Sequence, residues 1–349
     1  MNQEFKQDLR SFPYDGLTEA VKALGEPKYR ADQIYRWMHV HGRDSFDAMS
    51  NVPHSLLSKL QDRYMIYALA PVSVLQSKTD GTKKYLFSLY DGNVIESVFM
   101  RYEHGNSVCI SSQVGCNMGC RFCASTIDGK VRDLTAGEMI GQVYGIMQET
   151  GEKISNVVVM GSGEPLDNYV NLLDFIRILT DEHGLNISQR NLTVSTCGLV
   201  PKIRELADEN LQMTLAISLH APNDEKRMEL MPVAKRYKLA ELIESCRDYF
   251  EKTGRRITFE YALIAGENDS DADAQQLSAL IAGLNSHVNL IPVNPVSERN
   301  YQQSDKTAVL AFKNKLEKNH INVTIRREMG RDIDGACGQL RRRYLADFK

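Results

Sequence analysis

The sequence predicts an α/β protein whose main body is a partial (β/α)6 barrel, an open parallel sheet with right-handed crossovers. A small N-terminal helical domain and an antiparallel strand extension precede it. Three observations predict this fold. From about residue 105, apolar strand patterns alternate with helical ones, which is the signature of a parallel sheet. Six such units are too few to close an eight-stranded barrel. Before Pro71 the apolar spacing is helical, and from Pro71 to residue 104 its period is two.

Residues 1–70 form the helical part. Ala31, Ile34, Trp37 and Met38 share one helical face, and Leu56, Leu57 and Leu60 follow Pro53 at a helix start. In residues 71–104, VSVLQS, KKYLFSLY and NVIESVFMRY read as strands, with turns at Asp80-Gly81 and Asp91-Gly92. Residues 105–325 form the barrel. Its first strand, SVCISSQ, leads into a cysteine loop, and a helix runs from Thr135 through Gln148 with Thr135 and Glu138 spaced as a capping box. NVVVMG, LTVSTC, MTLAISLH, RITFEYALI and HVNLIPVN are further strands, separated by helices such as LAELIESCRDYF. NVTIRR is a last strand, and residues 326–349 form a Gly-rich tail containing Cys337. Ligands of parallel α/β sheets bind at the carboxyl ends of the strands. The cysteine loop, Gly161 to Glu164, Ser195, Ser218 with His220, and Asn294 all fall there.

The 349 residues are 42% hydrophobic and 25% charged, which excludes a disordered or fibrous chain. No apolar run is long enough to span a bilayer, and the first residues lack a signal-type apolar core, so a cytoplasmic protein is expected. Seven cysteines in a reducing compartment argue for metal-binding or reactive thiols rather than a disulfide framework. A net charge of −3 does not advertise a polyanionic partner. Basic clusters do occur at Lys78, Lys83 and Lys84; Lys130 and Arg132; Arg326, Arg327 and Arg331; and Arg341, Arg342 and Arg343. Charge runs of this kind are usually solvated faces.

Cys116, Cys120 and Cys123 lie in CNMGCRFC, a C-x3-C-x2-C spacing with no fourth cysteine just downstream. Three thiolates suit a 4Fe–4S cluster that leaves one iron open, whereas structural zinc needs a fourth ligand. The nearest upstream candidates for that zinc ligand are His104 and Cys109.

With Phe122 between its last two cysteines, this motif resembles the signature of the radical S-adenosylmethionine (radical SAM) enzymes. SSQVGCNMGCRFCAS, VVVMGSGEPLDN, STCGLVPKI, AISLHAPND, GRRITFEYALI, HVNLIPVNP and VTIRREMGRDIDGACGQL resemble, in order, the RlmN family. The resemblance runs from about residue 10 to 345. It implies a methyltransferase that acts on carbon 2 of an adenine in 23S rRNA and, in some bacteria, of an adenine in tRNA. The related Cfr family methylates carbon 8 instead, and its sequences tend to lack a proline at the position of Pro165. More distant rivals are a glycyl-radical activating enzyme, which has no use for Cys109 and Cys337, and a zinc-stapled RNA-binding module.

The resemblance also implies cofactors and roles. Cys116, Cys120 and Cys123 hold the 4Fe–4S cluster, and two SAM molecules are used per turnover. One methylates Cys337; the other, on the open iron, yields a 5′-deoxyadenosyl radical that takes hydrogen from the S-methyl group. The methylene radical adds to the adenine, Glu96 removes the ring proton, and Cys109 attacks the Cys337 sulfur to release product and form a disulfide. The family places Gly163 and Glu164 at the methionyl ammonium of SAM, and Ser195, Ser218, Leu219, His220 and Asn294 at its ribose and carboxylate. Lys28, Arg30, Arg36 and Arg43 of the N-terminal helices become the RNA grip. A monomer reduced by a flavodoxin or ferredoxin, with no membrane partner, completes the expectation.

Read without the family, several of these residues are bland. Cys246 shares an apolar helical face with Leu239, Leu242 and Ile243, and Cys109 lies in an apolar strand. Glu96 alternates with apolar neighbours as a solvent-facing strand residue would, and a lone histidine such as His220 is more often a core residue. Cys197 departs from the family's STSG, as Ser162 departs from the residue, often methionine, between two glycines.

Overall fold

Three N-terminal helices, α1 (Tyr14–Ala23), α2 (Lys28–His39) and α3 (His54–Arg63), gather their apolar faces into a core of their own. In this computed structural model, which describes residues 6–294, 296, 298–333 and 338–346, that core includes Leu17, Val21, Ile34, Met38, Leu56 and Leu60. Trp37 stays half-buried at its edge, where Nε1 donates to Asn51. The helical region is tied to the rest of the molecule by buried polar contacts. Gly137 N donates to Ser11 Oγ at 3.0 Å, and His39 Nδ1 lies 2.7 Å from the Tyr144 hydroxyl. Burial pushes the His39 pKa down to about 3, so this contact is made by a neutral imidazole.

The main sheet has ten strands: β1 (Pro71–Gln76), β2 (Lys83–Ser88), β3 (Val94–Tyr102), β4 (Gly105–Ile110), β5 (Asn156–Val159), β6 (Leu192–Thr196), β7 (Thr214–Ser218), β8 (Ile257–Leu263), β9 (Ser286–Pro292) and β10 (Asn322–Ile325). Spatial order follows chain order. The first four strands pair antiparallel, and β4 through β10 pair parallel with their sequence neighbours. Right-handed crossovers that always step to the next strand put every connecting helix on one face and leave the other face open.

The side-chain alternation shows which face is which. Val108, Ile110, Val159, Val194, Ile217, Phe259 and Leu290 pack in the main core with α4 (Ala136–Thr150), α5 (Tyr169–Thr180), α6 (Val200–Asp208) and α8 (Leu239–Thr253). Glu96, Val98, Cys109, Ser195, Ser218, Glu260 and Asn289 alternate onto the opposite face. Thr135 caps α4, and both hydrogen bonds of the capping box form with Glu138. The tail folds back over the antiparallel strands. Asp80 accepts from Gly330 N, Asp332 accepts from Ser77 and from Lys78 N, and Leu340 packs on Leu86 and Val94. Among the described residues, no helix is long and apolar enough to cross a membrane.

Candidate active site

The cysteine loop leaves a short strand, Gln113–Gly115, that pairs with Lys130–Asp133. Its backbone is held at both ends. Cys116 N donates to Gly129 O at 3.1 Å, and Thr126 Oγ1 donates to the carbonyls of Cys120 and Cys123, each at 3.0 Å. Around Cys120 and Cys123 lies an apolar cluster with Met118, Phe122, Cys197, Leu230, Met231 and Ile264. Burial pushes the Cys116 thiol up to about 12 and Cys120 well above its ordinary value, and the thiols oppose one another's ionisation. These thiols become thiolates only when positive charge arrives.

Next to them, the β5 end turns through Gly163, whose φ of +111° needs glycine. A Cβ there would stand 2.7 Å from the Gln113 backbone nitrogen. Glu164 is buried and accepts from Leu166 N at 3.0 Å and from Cys197 N at 2.7 Å. Burial raises its pKa, partly offset by these hydrogen bonds. Gln113 positions this turn, since its Oε1 accepts from Glu164 N at 2.9 Å while its Nε2 donates to Asp133 and Asp167. Cys197 itself is buried, and its thiol packs with Cys120, Leu230 and Met231.

At the next strand ends, Ser195 Oγ and Ser218 Oγ lie 3.3 Å apart. The Leu219 side chain is fully buried in the core; its N–H donates to Glu260 O and its carbonyl accepts from Arg227. His220 has φ +55°, and its Nδ1 accepts from Ala262 N at 2.9 Å. The hydrogen therefore sits on Nε2, and burial pushes the ring's pKa down to about 3. In this respect His220 is the satisfied core histidine. Asn294 is exposed just beyond β9.

Glu96 is not solvent-facing: it is 3% exposed. The buried Lys84 Nζ lies 3.2 Å from its Oε2. The same oxygen accepts from Gly338 N at 2.7 Å, and Oε1 accepts from Arg341 N at 2.5 Å. Cys109 is opposite Val98 in the β3–β4 pair, on the Glu96 face, and packs with Met100, Met160 and Met329. Cys337 lies outside the described residues. Its neighbour Gly338 has φ +85°, and a Cβ there would meet Ser125 N at 2.7 Å. One residue of the tail thus touches both Glu96 and the segment that follows Cys123. We expect Gly338→Ala to force the tail off this segment and to lower turnover on the order of 100-fold, as a misplacement of about 1 Å can. Iron content and SAM cleavage should stay at wild-type levels, measured by iron assay and 5′-deoxyadenosine release.

The donor set fits a cluster with bound SAM. One braced loop carries the three thiols, Cys116 and Cys120 buried and Cys123 half-buried. Beside them Glu164, a buried carboxylate, makes no ion pair among the described residues and so suits an ammonium group. Among the described residues no three His, Cys, Asp or Glu side chains close around a single ion. A cube spreads its ligands more widely, taking one thiolate per iron. His104, a candidate fourth zinc ligand, sits in the hairpin at the opposite end of β4, stacked on Tyr102.

No disulfide joins the six described cysteines, and the Cys109–Cys337 disulfide expected during turnover involves a residue outside the described set. One expectation needs revision. The basic clusters are partly consumed internally: Lys84 by Glu96, Lys83 by Glu149, Lys130 by Asp167, Arg132 by Asp91 and Glu138, and Arg342 by Glu298. Lys28, Arg36 and Arg43 do remain exposed. Sequence reasoning missed Gln113, Lys84 and Arg227. For Gln113 the only local signal was its place three residues before Cys116.

The radical SAM superfamily pattern matches residues 110–277, and the ribosomal RNA large subunit methyltransferase N-terminal domain matches residues 7–66. A protein of Lachnospira eligens, named a probable dual-specificity RNA methyltransferase RlmN, is 62% identical over 98% of this chain and 97% of its own length. One of the same name from Lachnoclostridium phytofermentans is 55% identical over 97% of this chain and 95% of its own. The crystal structure of a radical SAM methyltransferase from Sphaerobacter thermophilus superposes with a TM-score of 0.91 at 44% identity, covering 95% of this chain and 98% of that one.

Proposed function

Because the chain belongs to the RlmN family of radical SAM RNA methyltransferases, we propose that it methylates carbon 2 of an adenine in 23S rRNA and of an adenine in tRNA. The observation that carries this reading is the hydrogen bond from Gly338 N to Glu96, because it brings the residue after Cys337 to a buried acid on the open face of the sheet. Cys109 lies on that same face, one strand away.

In this reading Cys116, Cys120 and Cys123 hold a 4Fe–4S cluster, and Gly163, Glu164, Ser195, the Ser218–His220 segment and Asn294 hold SAM. Cluster and SAM supply one-electron cleavage to a carbon radical, and a second SAM supplies the methyl group. An adenine ring carbon is not a nucleophile, so simple displacement at a methyl donor does not serve.

The chain's own residues do the rest. Cys337, as a sulfur nucleophile, carries the methyl group. Glu96 takes the ring proton, and to reach the base it must first release the N–H groups of Gly338 and Arg341 that engage both its oxygens. The tail therefore has to move when RNA enters, and the carrier moves with it. Cys109 then attacks the Cys337 sulfur and breaks its bond to the adenine-bound carbon, which takes up a proton to become the methyl group; an external dithiol reduces the resulting disulfide and restores both cysteines. The adenine must be unstacked to reach this face, and the exposed Lys28, Arg36 and Arg43 provide phosphate contacts.

The test is nucleoside mass spectrometry after anaerobic incubation of reconstituted protein with SAM, reductant and unmodified 23S rRNA or tRNA. We expect 2-methyladenosine from both. Formation of 8-methyladenosine would contradict the carbon 2 assignment and favour the Cfr reading. Absence of any product, with SAM cleavage intact, would overturn the RNA substrates.

A further inference from the structure

We propose that Arg227 is the counter-cation of the cluster site, a positioning residue whose buried charge favours the one-electron-reduced cluster. It rests on the reading that Cys116, Cys120 and Cys123 hold a 4Fe–4S cluster. Arg227 belongs to α7 (Asp224–Leu230), just after β7, in a run of four charged residues, yet its side chain is fully buried. Its guanidinium donates only to backbone carbonyls: Nε to Leu219 at 3.2 Å, and Nη2 to Cys197 at 2.7 Å and to Ser218 at 3.4 Å. Nη1 has no partner. Among the described residues no carboxylate pairs with it; the acid in its own helix turn, Asp224, is engaged by Leu239 N. A buried cation with an unmet N–H is expensive unless an anion completes it.

Arg227 reaches the cysteine site through Cys197, whose carbonyl takes its Nη2 and whose side chain packs in one cluster with Cys120 and with Leu230 of the same helix. Cys120 is a cluster ligand in this reading, and its main-chain neighbour Arg121 is hydrogen-bonded through N–H to Leu230 O in the same helix as Arg227. The side chain is fully buried, so water does not screen its charge. Three thiolates and bridging sulfides are net negative, and reduction adds one more electron. A fixed cation on the protein side stabilises the more negative state, and cluster potentials respond to nearby charge and hydrogen bonding. Arginine suits the position because it stays protonated when buried.

The experiment is an EPR-monitored dithionite titration of the anaerobically reconstituted full chain, as wild type, Arg227→Gln and Arg227→Lys, with and without SAM. Glutamine retains N–H donors for the carbonyls but not the charge, whereas lysine retains the charge but not the fork. We expect the glutamine midpoint to move to more negative potential without SAM, and lysine to restore most of the shift. An unshifted glutamine midpoint at full iron content would overturn the proposal. Equal shifts in both variants, or loss of iron from both, would mean that Arg227 is only a backbone staple and would also overturn it. A shift seen only with SAM would assign the charge to the SAM carboxylate instead. Absence of iron from wild type would instead overturn the cluster reading itself.

Discussion

Cys109→Ala is expected to abolish release of methylated RNA and to leave an RNA–protein adduct joined through Cys337. The thiol sits in β4, opposite Val98 and on the face that carries Glu96. Alanine keeps the strand pairing and leaves a void about the size of one atom, at a cost of about 1 kcal/mol. A domain stable by about 5–15 kcal/mol tolerates that loss. Steps before the adduct do not need Cys109, so SAM cleavage should continue for one turnover and then stop. Protease and nuclease digestion followed by mass spectrometry would show an adenine-bearing Cys337 peptide. Normal product formation by this variant would remove Cys109 from the mechanism.

Cys120→Ala should eliminate both the iron and every SAM-dependent activity. Two remaining thiolates cannot anchor a cube that already leaves one iron open, and Cys120 is buried in an apolar cluster with Leu230 and Met231 against which Met118 packs. Cys246→Ala is the matched control, since that thiol is fully buried among Leu239, Leu242 and Ile243 on the helix side of the sheet. It should cost about 1 kcal/mol of stability while iron content and activity persist. The two variants separate loss of a ligand from loss of packing. Full iron in Cys120→Ala, by assay and by visible absorbance, would contradict the ligand assignment.

Features encoded by short spacings were legible in the sequence. The Thr135–Glu138 capping box forms both of its bonds, and Gly81 and Gly92 adopt positive φ at the two Asp-Gly turns. The strand ends could be read because apolar runs stop where polar residues begin, as at Ser195 and Ser218. Other features were hidden because they depend on distant partners. The contact of Glu96 with Gly338 spans 242 positions, and nothing local to either residue announces it. Lys84 reads as a surface charge, yet β-sheet register places it opposite Val98, under the tail and against Glu96. Arg227 sits in an Asp-Glu-Lys-Arg run that resembles a solvated helix face, but its position beneath the β6 and β7 ends draws it inward. Charge patterns predict exposure only where no buried acceptors wait below them.

The central claim is that Cys337 carries the methyl group to a site built around Glu96 and Cys109. Peptide mass mapping after anaerobic incubation with SAM and reductant, without RNA, tests it most directly. The account predicts that the tail peptide containing Cys337 becomes one methyl group heavier while the peptides containing Cys109, Cys197 and Cys246 do not change. A methyl group on any of those three cysteines, or an unmodified Cys337 in protein that still cleaves SAM, would contradict it.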